Sequence, residues 1–482
     1  MNPKKNVVPT LLDATATGGD IAEGGFKFQE HLILAQIPNW LACNGFSEII
    51  REALGDAEAR FFLPEIGITR EFVEYKNHKL TPSEFWPEVE HFQQMDQGHP
   101  GTYHRFTLVC SGVSDILKPM LAALRRVRNA FPFYESAASV QDVSYQAFVE
   151  TVIKLEKDEK LAHFIFTKVF FDDDLPKAES LAFEIFRQSL EHHIPAFQNL
   201  SRKHAEGTWK DLAALVSSRK AKPIRRQELE EVIANYLPDN SWFERPIHIH
   251  TISQSPKDGW ELPVELQFNW VQFSGGTSRN YPPSEVWNQV LVSNLQATRT
   301  WILTSQRQRQ ILLTGERRLS ASLAIGSVFN AVSGFTINFH YREETWATDA
   351  HPDTDTPDYV WNLISPDGIN SNLAVCLSII HDIRSDVTAY LAAIGNQMPC
   401  LSLQGNSAIL SPKHANAAVR SAKLAISEAL TKTGAKTLHL FLATPAHFAL
   451  FLGHRLNATS VIQCYERIDT AIYQPTCCIK AT

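Results

Sequence analysis

The C-terminal half of the chain alternates short apolar runs with amphipathic stretches, and this alternation constrains the fold more than any other feature of the sequence. From about residue 241 onward, strand-like runs such as NLAVCLSIIHDI and LHLFLAT precede helix-like runs such as HANAAVRSAKLAISEALTKTG and PAHFALFLGHRLN. This alternation predicts a parallel sheet with helices on its faces. Two strand-turn-helix units, at Ile311 and at Leu438, have the same layout, which predicts two related halves.

Three parts of the chain differ in texture. Residues 1–140 mix helical and strand-like runs, residues 141–238 have helical periodicity almost throughout, and residues 239–482 carry the alternation described above. The predicted fold class is therefore α/β. It comprises a compact N-terminal α/β domain, a helical extension or bridge, and two doubly wound halves.

The N-terminal part contains a predicted helix–hairpin–helix segment. Its helices and strands are expected over residues 26–44, 57–63, 69–76 and 82–95. Thr81 and Glu84 have the spacing of a capping box, which marks the start of the second helix.

The formal net charge of −7 excludes a uniformly basic surface, so contacts to a nucleic-acid backbone must come from local patches. Three arginines close a predicted helix at Arg125, Arg126 and Arg128, and His78 and Lys79 follow the second strand. A larger patch over residues 202–226 holds eight basic residues against two acids, Glu206 and Asp211. The basic residues of this patch are Arg202, Lys203, Lys210, Arg219, Lys220, Lys222, Arg225 and Arg226.

The seven cysteines are scattered without a C-x-x-C pair, which indicates reduced thiols rather than a zinc or redox motif. The N-terminus has no continuous apolar segment of the kind found in secretion signals. The best candidate for a membrane span, residues 438–452, is interrupted by polar side chains. We therefore expect a cytoplasmic protein with no membrane partner.

Asp56, Glu74 and Lys76 form the strongest chemical signal of the N-terminal part. Alternate residues of a strand share a face, so Glu74 and Lys76 are expected side by side, with Asp56 on the neighbouring strand. Two carboxylates can hold Mg²⁺, which acidifies a bound water, and a lysine can position that water or stabilise charge on a phosphate. We predict a Mg²⁺ site at Asp56 and Glu74, with Lys76 as the third catalytic residue of phosphodiester hydrolysis.

Other residues of this region are alternatives or additions to that set. Glu58 and Glu65 lie on the same hairpin and compete with Asp56 as the upstream acid, although Asp56 is favoured because it precedes a cleanly alternating strand. Glu23 and Gln29 are candidates for an outer contact to the metal or its water. A solvated ion pair on an edge strand is the structural alternative for the acid and lysine of the second strand.

This constellation resembles the PD-(D/E)XK nuclease superfamily, with Glu74, Tyr75 and Lys76 as the E-x-K and Asp56 as the upstream acid. The layout of residues 21–95 is similar to the nuclease domains of bacterial antiphage effectors of the cyclic-oligonucleotide-signalling (CBASS) type. That layout consists of Gly24, Gly25, Phe26 and Gln29 before the hairpin and Leu80, Thr81, Pro82, Phe85 and Trp86 after it. The resemblance implies a restriction-endonuclease-like fold and Mg²⁺-dependent cleavage of double-stranded DNA.

The C-terminal half has the features of a binding module rather than of an enzyme. No nucleophile with a base and no metal-ligand spacing is present, and His381 and Asp382 are neighbours on a strand, so their side chains point to opposite faces. Open α/β sheets bind ligands at the carboxyl ends of their strands. Two turns have this position, residues 314–320 and residues 444–447, and neither is a P-loop or a G-x-G-x-x-G motif, so ATP and NAD are not indicated.

Residues 240–475 resemble the SAVED domain, a nucleotide sensor of CBASS effectors built from two fused Rossmann-like halves related to CARF sensors. The resemblance rests on LLTGERRLSASLAIG, on FHYREETWATD, and on LHLFLATPAHFALFLGHRLN followed by QCYER. It implies binding of a cyclic di- or trinucleotide made by a partner nucleotidyltransferase. The expected ligand contacts are Thr314, Arg317, Arg318, Trp346, Ser378 and Thr444.

These two resemblances together predict an effector in which the bound nucleotide drives self-oligomerisation of the sensor and thereby switches on DNA cleavage. Two other functions fit the sequence. One is a ligand-binding regulator whose N-terminal half is an inert adaptor, and the other is a stand-alone restriction-like nuclease whose C-terminal half reads DNA.

Overall fold

The computed structural model describes residues 14–52, 56–128, 137–173, 179–239, 241–254, 264–341, 344–456 and 461–480. These residues form two compact units that meet in sequence between residues 243 and 244. The turn at residues 63–67 groups with the second unit. Among the described residues, no helix is both long and apolar enough to cross a membrane. All seven cysteines are free thiols.

The first unit is built on a six-stranded sheet with the strand order β5-β4-β3-β2-β1-β6. Strands β3, β4 and β5 run parallel, whereas β1 is antiparallel to both β2 and β6. The strands are β1 (Phe46–Arg51), β2 (Ala57–Leu63), β3 (Gly67–Lys76), β4 (Tyr103–Cys110), β5 (Val169–Asp172) and β6 (Pro223–Arg225). The helices are α1 (Ala14–Ala42), α2 (Pro82–Gly98), α3 (Lys118–Arg128), α4 (Ala137–Ile153), α5 (Glu159–Lys168), α6 (Glu179–His193), α7 (Arg202–Ser218) and α8 (Arg226–Ala234).

Two hydrophobic cores flank this sheet, and the alternation of β3 divides its side chains between them. Val73 and Tyr75 pack in the core that includes residues of α1, α6, α7 and α8. Phe72 packs in the other core, with Phe85 of α2 and residues of α3, α4 and α5. Because alternate residues share a face, Glu74 is placed on the side of the sheet that α2 covers.

The segment predicted as a separate helical extension is built into the first unit. Within residues 141–238, β5 and β6 add one strand to each edge of the sheet, and α6 packs on α1. These strands have only four and three residues, so they are too short to produce a period-two pattern in a helical surrounding.

The predicted capping box does begin α2 at Pro82. The Glu84 carboxylate accepts hydrogen bonds from the backbone N–H of Thr81 at 2.9 Å and from its hydroxyl at 2.7 Å. Buried residues at helical spacing, Phe85, Val89 and Phe92, fix the helix to the sheet. The start and the orientation of α2 are therefore both well defined.

The second unit contains two sheets, each with a parallel centre, as the alternation of strands and helices predicts. Their strand orders are β11-β10-β9-β7-β8 and β12-β14-β13-β15-β16-β17. The strands are β7 (Ile247–Ile252), β8 (Leu266–Asn269), β9 (Gln310–Gly315), β10 (Thr336–Tyr341), β11 (Glu344–Ala347), β12 (Trp361–Ile364), β13 (Asn372–Ser378), β14 (Cys400–Gly405), β15 (Thr437–Ala443), β16 (Val461–Asp469) and β17 (Ile472–Ile479). The α-helices are α9 (Ser284–Val286), which continues through a π-helical segment (Trp287–Val292) into α10 (Ser293–Ser305), then α11 (Leu319–Val328), α12 (Arg384–Ala393), α13 (Pro412–Thr433) and α14 (Ala446–Arg455).

Helices α11 and α14 follow the two corresponding strands β9 and β15, and they pack against each other through a reciprocal pair of glycines. A Cβ on Gly326 would lie 2.1 Å from the carbonyl oxygen of Leu450. A Cβ on Gly453 would lie 2.2 Å from the carbonyl oxygen of Leu323. Each glycine is the eighth residue of its helix and each meets the fifth residue of the other, which indicates that the two halves are arranged with approximate twofold symmetry.

Candidate functional site

Asp56 is held at the start of β2 by two hydrogen bonds. Its carboxylate accepts one from the side-chain amide of Gln29, on α1, and one from the backbone N–H of Tyr75, each at 2.7 Å. The second bond fixes the Asp56 carboxylate beside β3 at Tyr75, the residue between Glu74 and Lys76. Gln29 therefore orients the predicted upstream acid, whereas the side chain of Glu23 lies outside the described residues.

Glu74 and Lys76 meet side by side on β3, and a third residue joins them from α2. The Lys76 ammonium lies 2.9 Å from an oxygen of Glu74 and 2.6 Å from an oxygen of Glu88. All three side chains are largely buried, with 18%, 23% and 25% of Glu74, Lys76 and Glu88 exposed. Sequence reasoning missed Glu88, whose only signal is an acid on the helix that follows the E-x-K.

The charges of this cluster shift the pKa values of its members. Burial, and then the charge of Glu74, raises the pKa of Asp56 to about 6, although the hydrogen bond from Tyr75 opposes the change. Burial acts to lower the pKa of Lys76, but hydrogen bonds to Glu88 and Glu74 outweigh it and raise that pKa. The site thus disfavours the ionised form of Asp56 when no cation is bound, and it keeps its lysine positive.

These residues fit a divalent cation that retains several water ligands. Oxygen ligands from one or two carboxylates are what Mg²⁺ takes from proteins, and Asp56 and Glu74 supply them. Repulsion between these carboxylates, which contributes to the raised pKa of Asp56, would be relieved by a cation. Within the described ranges, no group of three or more His, Cys, Asp or Glu side chains is arranged to hold a metal ion by itself.

The alternative upstream acids are placed elsewhere. The side chain of Glu58 is 3% exposed. Its carboxylate pairs with Arg60 at 2.7 Å and with Arg70 at 3.3 Å, so its charge is already neutralised. Glu65 is exposed in the turn at the far end of β2, roughly 20 Å of extended strand from Asp56. Both positions favour Asp56.

The three arginines in the last turn of α3 differ in their contacts. Arg125 pairs with Asp173, and Arg126 is exposed. Arg128 donates to the carbonyl groups of Ile165 and Phe166, at 2.6 Å each, in the last turn of α5. Of the three predicted phosphate contacts, only Arg126 therefore has an exposed guanidinium outside an ion pair.

Four of the eight basic residues in the patch at residues 202–226 are paired with acids of the protein. Arg202 pairs with Glu184 and Glu206, Arg219 with Glu228, and Lys220 with Glu52. Arg226 is 5% exposed and donates to the carbonyls of Leu41 and Cys43 at 2.8 Å, at the end of α1. Lys203, Lys210, Lys222 and Arg225 are exposed. The charge excess counted along the sequence is reduced because several of its partner acids come from outside residues 202–226.

His78 and Lys79 lie just beyond β3 and are exposed. His78 contacts the Glu84 carboxylate at 3.1 Å, and the Lys79 ammonium lies 4.0 Å from Asp115. Both side chains are exposed directly after the E-x-K in sequence.

In the second unit, a cavity of about 430 Å³ contains two of the predicted ligand contacts, Arg317 and Arg318. Arg318 donates to the carbonyl of Ser274 at 2.5 Å and so holds the loop that forms one wall. Arg317 donates to the carbonyl of Gly315 at 2.8 Å, and desolvation lowers its pKa to about 10. Thr314 does not line this cavity, because its hydroxyl lies 2.8 Å from both His248 and His250 on β7.

The N-terminus of α11, predicted as an anion site, already contacts an internal carboxylate. Glu466, from the QCYER string, is 6% exposed and accepts a hydrogen bond from the backbone N–H of Ser320 at 2.7 Å. Burial raises the pKa of Glu466, whereas the hydrogen bonds from Ser320 lower it. A phosphate would have to bind beside this carboxylate rather than in its place.

A second cavity, of about 520 Å³, lies at the carboxyl ends of the strands and contains Trp346. Its aromatic wall is formed by Tyr341, Trp346 and His447, with ring centroids 4.5–5.3 Å apart. Trp346 is only 2% exposed, so it supports the wall more than it forms the surface.

Two further predicted contacts lie near this second cavity. Ser378 is buried directly before the lining residues Ile379 and Ile380, and Thr444 directly precedes Pro445. The hydroxyl of Thr444 is buried without a hydrogen-bond partner among the described residues. His381 and Asp382 are exposed, and Asp382 accepts from the backbone N–H of Arg384 at the start of α12, which is a structural role.

Comparison with known proteins gives consistent matches over both units. Residues 295–479 match the model of the SAVED family, the SMODS-associated and fused to various effectors sensor domain. Two proteins called CD-NTase-associated protein 4, from Acinetobacter sp. and Moraxella osloensis, are 29% and 28% identical over 97% of this chain and 98% of their own length.

Solved structures of Cap4 receptors are also similar to this chain over most of its length. The Acinetobacter baumannii Cap4 SAVED/CARF-domain containing receptor with the cyclic trinucleotide 2'3'3'-cAAA has a TM-score of 0.81 and 27% identity, covering 94% of this chain and 98% of that one. The same receptor with 3'3'3'-cAAA has a TM-score of 0.81 and 26% identity, with 95% and 99% covered. The Moraxella osloensis receptor has a TM-score of 0.76 and 26% identity, with 95% and 99% covered. These matches support a CBASS effector with a SAVED sensor and the mixed α/β fold of the Cap4 receptors.

Proposed function

We propose that this chain is a Mg²⁺-dependent endonuclease of double-stranded DNA that a cyclic oligonucleotide switches on through its sensor. The observation that carries the nuclease part is the convergence of Asp56, Glu74 and Lys76 at the adjoining ends of β2 and β3. The two carboxylates would hold Mg²⁺, which when bound acidifies a water ligand and shields charge on the scissile phosphate.

The protein's own residues supply the rest of the site. Gln29 and the Tyr75 backbone N–H hold both oxygens of Asp56, so that its carboxylate is oriented before any ligand arrives. Lys76 keeps its positive charge beside Glu74 and can stabilise the charge that develops on the phosphate. Lys79 and Arg126 are exposed cations of the same unit for contacts to the DNA backbone.

The sensor would bind a cyclic trinucleotide, the ligand class present in the structures of the similar Acinetobacter baumannii receptor. Arg317 would meet a phosphate in the first cavity. The ring wall that contains Tyr341 and His447 would stack on a base in the second, with the buried Thr444 hydroxyl and Ser378 close by. A cyclic dinucleotide is the smaller alternative.

Activation would follow from self-association. A ligand that binds a sensor arrangement competent to assemble shifts the population toward that arrangement and raises the local concentration of nuclease sites on DNA. The activating nucleotide would come from a partner nucleotidyltransferase in antiphage defence. Silence without ligand protects the host genome, so ligand dependence is the property to test.

The experiment measures plasmid cleavage by the full chain with Mg²⁺ and a panel of cyclic di- and trinucleotides. We expect cleavage with one member of the panel and none without ligand. Lys76→Ala should lower the rate on the order of 100-fold or more while nucleotide binding persists. Lys157→Ala, which removes a lysine paired with Glu90 of α2, is the matched control and should cut like the unmodified protein.

Each rival function has its own signature in this assay. Nucleotide binding without cleavage under any condition would indicate a regulator with an inert N-terminal half. Cleavage that ignores every nucleotide but follows DNA methylation would indicate a restriction-like enzyme.

A further inference from the structure

The Lys76 ammonium is shared between two carboxylates that come from different elements. Glu74 precedes it on β3 at 2.9 Å, and Glu88 reaches it from α2 at 2.6 Å. Only Glu74 belongs to the proposed metal site. The second carboxylate therefore has no role in the nuclease described above.

We infer that Glu88 is a positioning residue, which retains the Lys76 ammonium when Glu74 turns to a divalent cation. This inference rests on the proposed nuclease function and adds a residue to it. A carboxylate that coordinates a cation has less charge to offer a lysine, and the lysine and the cation repel each other. With Glu88 in place, Lys76 can give up Glu74 without losing its counter-ion.

The helix that carries Glu88 is fixed independently of the site. Phe85, Val89 and Phe92 bury one face of α2, and the capping box defines its first turn. Glu88 is the residue before the buried Val89, so its position relative to β3 is set by the core rather than by the ion pair. A carboxylate on such a rigid element can hold a flexible lysine in one place.

The other acids of α2 have different partners, which distinguishes Glu88 from a general acidic surface. Glu84 closes the capping box, Glu90 pairs with Lys157 at 2.7 Å, and Asp96 pairs with Lys168 at 2.5 Å. Glu88 alone among these α2 acids contacts the lysine of the nuclease site.

The test measures the affinity of Mg²⁺ or Mn²⁺ for the full chain by calorimetry, without DNA or nucleotide. In Glu88→Gln, Lys76 keeps only Glu74 and competes with the cation, so affinity should fall on the order of tenfold. Glu88→Asp, which keeps the charge but withdraws it by one methylene, is a second variant and should also lose affinity. Glu90→Gln, on the same helix and also paired with a lysine at 2.7 Å, should bind the cation like the unmodified protein.

A double-mutant cycle separates positioning from a merely structural or long-range effect. If Glu88 acts through Lys76, then Glu88→Gln in a Lys76→Met background should change cation affinity by no more than about twofold. An equal loss in both backgrounds would overturn the inference, and so would unchanged affinity in both single variants at position 88.

The same experiment shows which of the two hypotheses fails. If Asp56→Asn binds the cations like the unmodified protein, the proposed metal site is absent and the nuclease function fails. If Asp56→Asn abolishes binding while the Glu88 variants match the unmodified protein, the nuclease function stands and only the role of Glu88 is wrong.

Discussion

Replacing Gly453 by alanine tests the reciprocal contact between α11 and α14. The new Cβ would lie 2.2 Å from the carbonyl oxygen of Leu323 and 3.0 Å from the backbone nitrogen of Ser327. Carbon atoms in good contact lie about 3.5–4.0 Å from their neighbours, so the two helix backbones must separate by roughly 1 Å. The obstacle is backbone, which cannot move aside as a side-chain end can.

The expected cost follows from two opposing effects. Overpacking of a dense core typically costs about 1–3 kcal/mol. Alanine in place of glycine in a helix returns up to about 1 kcal/mol. We therefore expect a net loss on the order of 1–2 kcal/mol in the free energy of unfolding, and a similar loss for Gly326→Ala because the contact is reciprocal.

The double variant is the sharper measurement. The separation that accommodates the first Cβ also makes room for the second, so the double variant should lose less than the sum of the single losses. Urea unfolding gives the free energies, and hydrogen exchange in α11 and α14 locates the weakened region. Gly98→Ala, where no atom lies within 4 Å of the new Cβ, is the control and should not destabilise the protein. Additive losses at the two positions would refute the reasoning.

Three further predictions concern buried charges and polar groups. Burial raises the pKa of Asp56 from 3.8 to about 6, so the unfolded chain releases this proton at a lower pH than the folded one. The free energy of unfolding should therefore fall as the pH rises from 3.8 to about 6, by about 1.4 kcal/mol for each unit of difference in pKa. Urea unfolding with EDTA should therefore show the stability of Asp56→Asn rising relative to that of the unmodified protein between pH 4 and 7. A difference in unfolding free energy that does not vary with pH would contradict this. Burial lowers the pKa of His454 from 6.5 to about 4, so stability should fall as the pH drops through this window, and His454→Gln should show a smaller fall in the same assay. Arg226→Met should lose about 3 kcal/mol in urea unfolding because the carbonyls at the end of α1 lose a charged donor, whereas Arg225→Met, on the exposed neighbour, should unfold like the unmodified protein.

The parts of the fold that follow from local rules could be predicted from the sequence. The alternation of β2 and the capping box at Thr81 fixed the start of the strand and of α2, and the two-residue period placed Glu74 beside Lys76. The layout shared by the units at Ile311 and Leu438 predicted the two related halves.

The remaining features depend on contacts between residues distant in sequence. Glu88 is one of several acids on α2, and its direction is decided by how the helix packs on the sheet. Glu466 and Ser320 are far apart in the chain, so no local sequence pattern predicts their hydrogen bond. The exposed positive charge of the basic patches was overestimated because Arg128 and Arg226 donate hydrogen bonds to carbonyl groups in the last turns of α5 and α1. A count of charges along the sequence cannot show these contacts.

The carboxylate of Glu466 at the start of α11 has a consequence for selectivity. In many nucleotide-binding α/β proteins, the backbone N–H groups at this position attract the phosphates of nucleoside triphosphates or dinucleotides. Here the side chain of Glu466 already accepts a hydrogen bond from a backbone N–H at that position, so a triphosphate would find this donor taken. A ligand of this half would therefore have to make its phosphate contacts in the cavity beside α11 rather than at the N–H of Ser320.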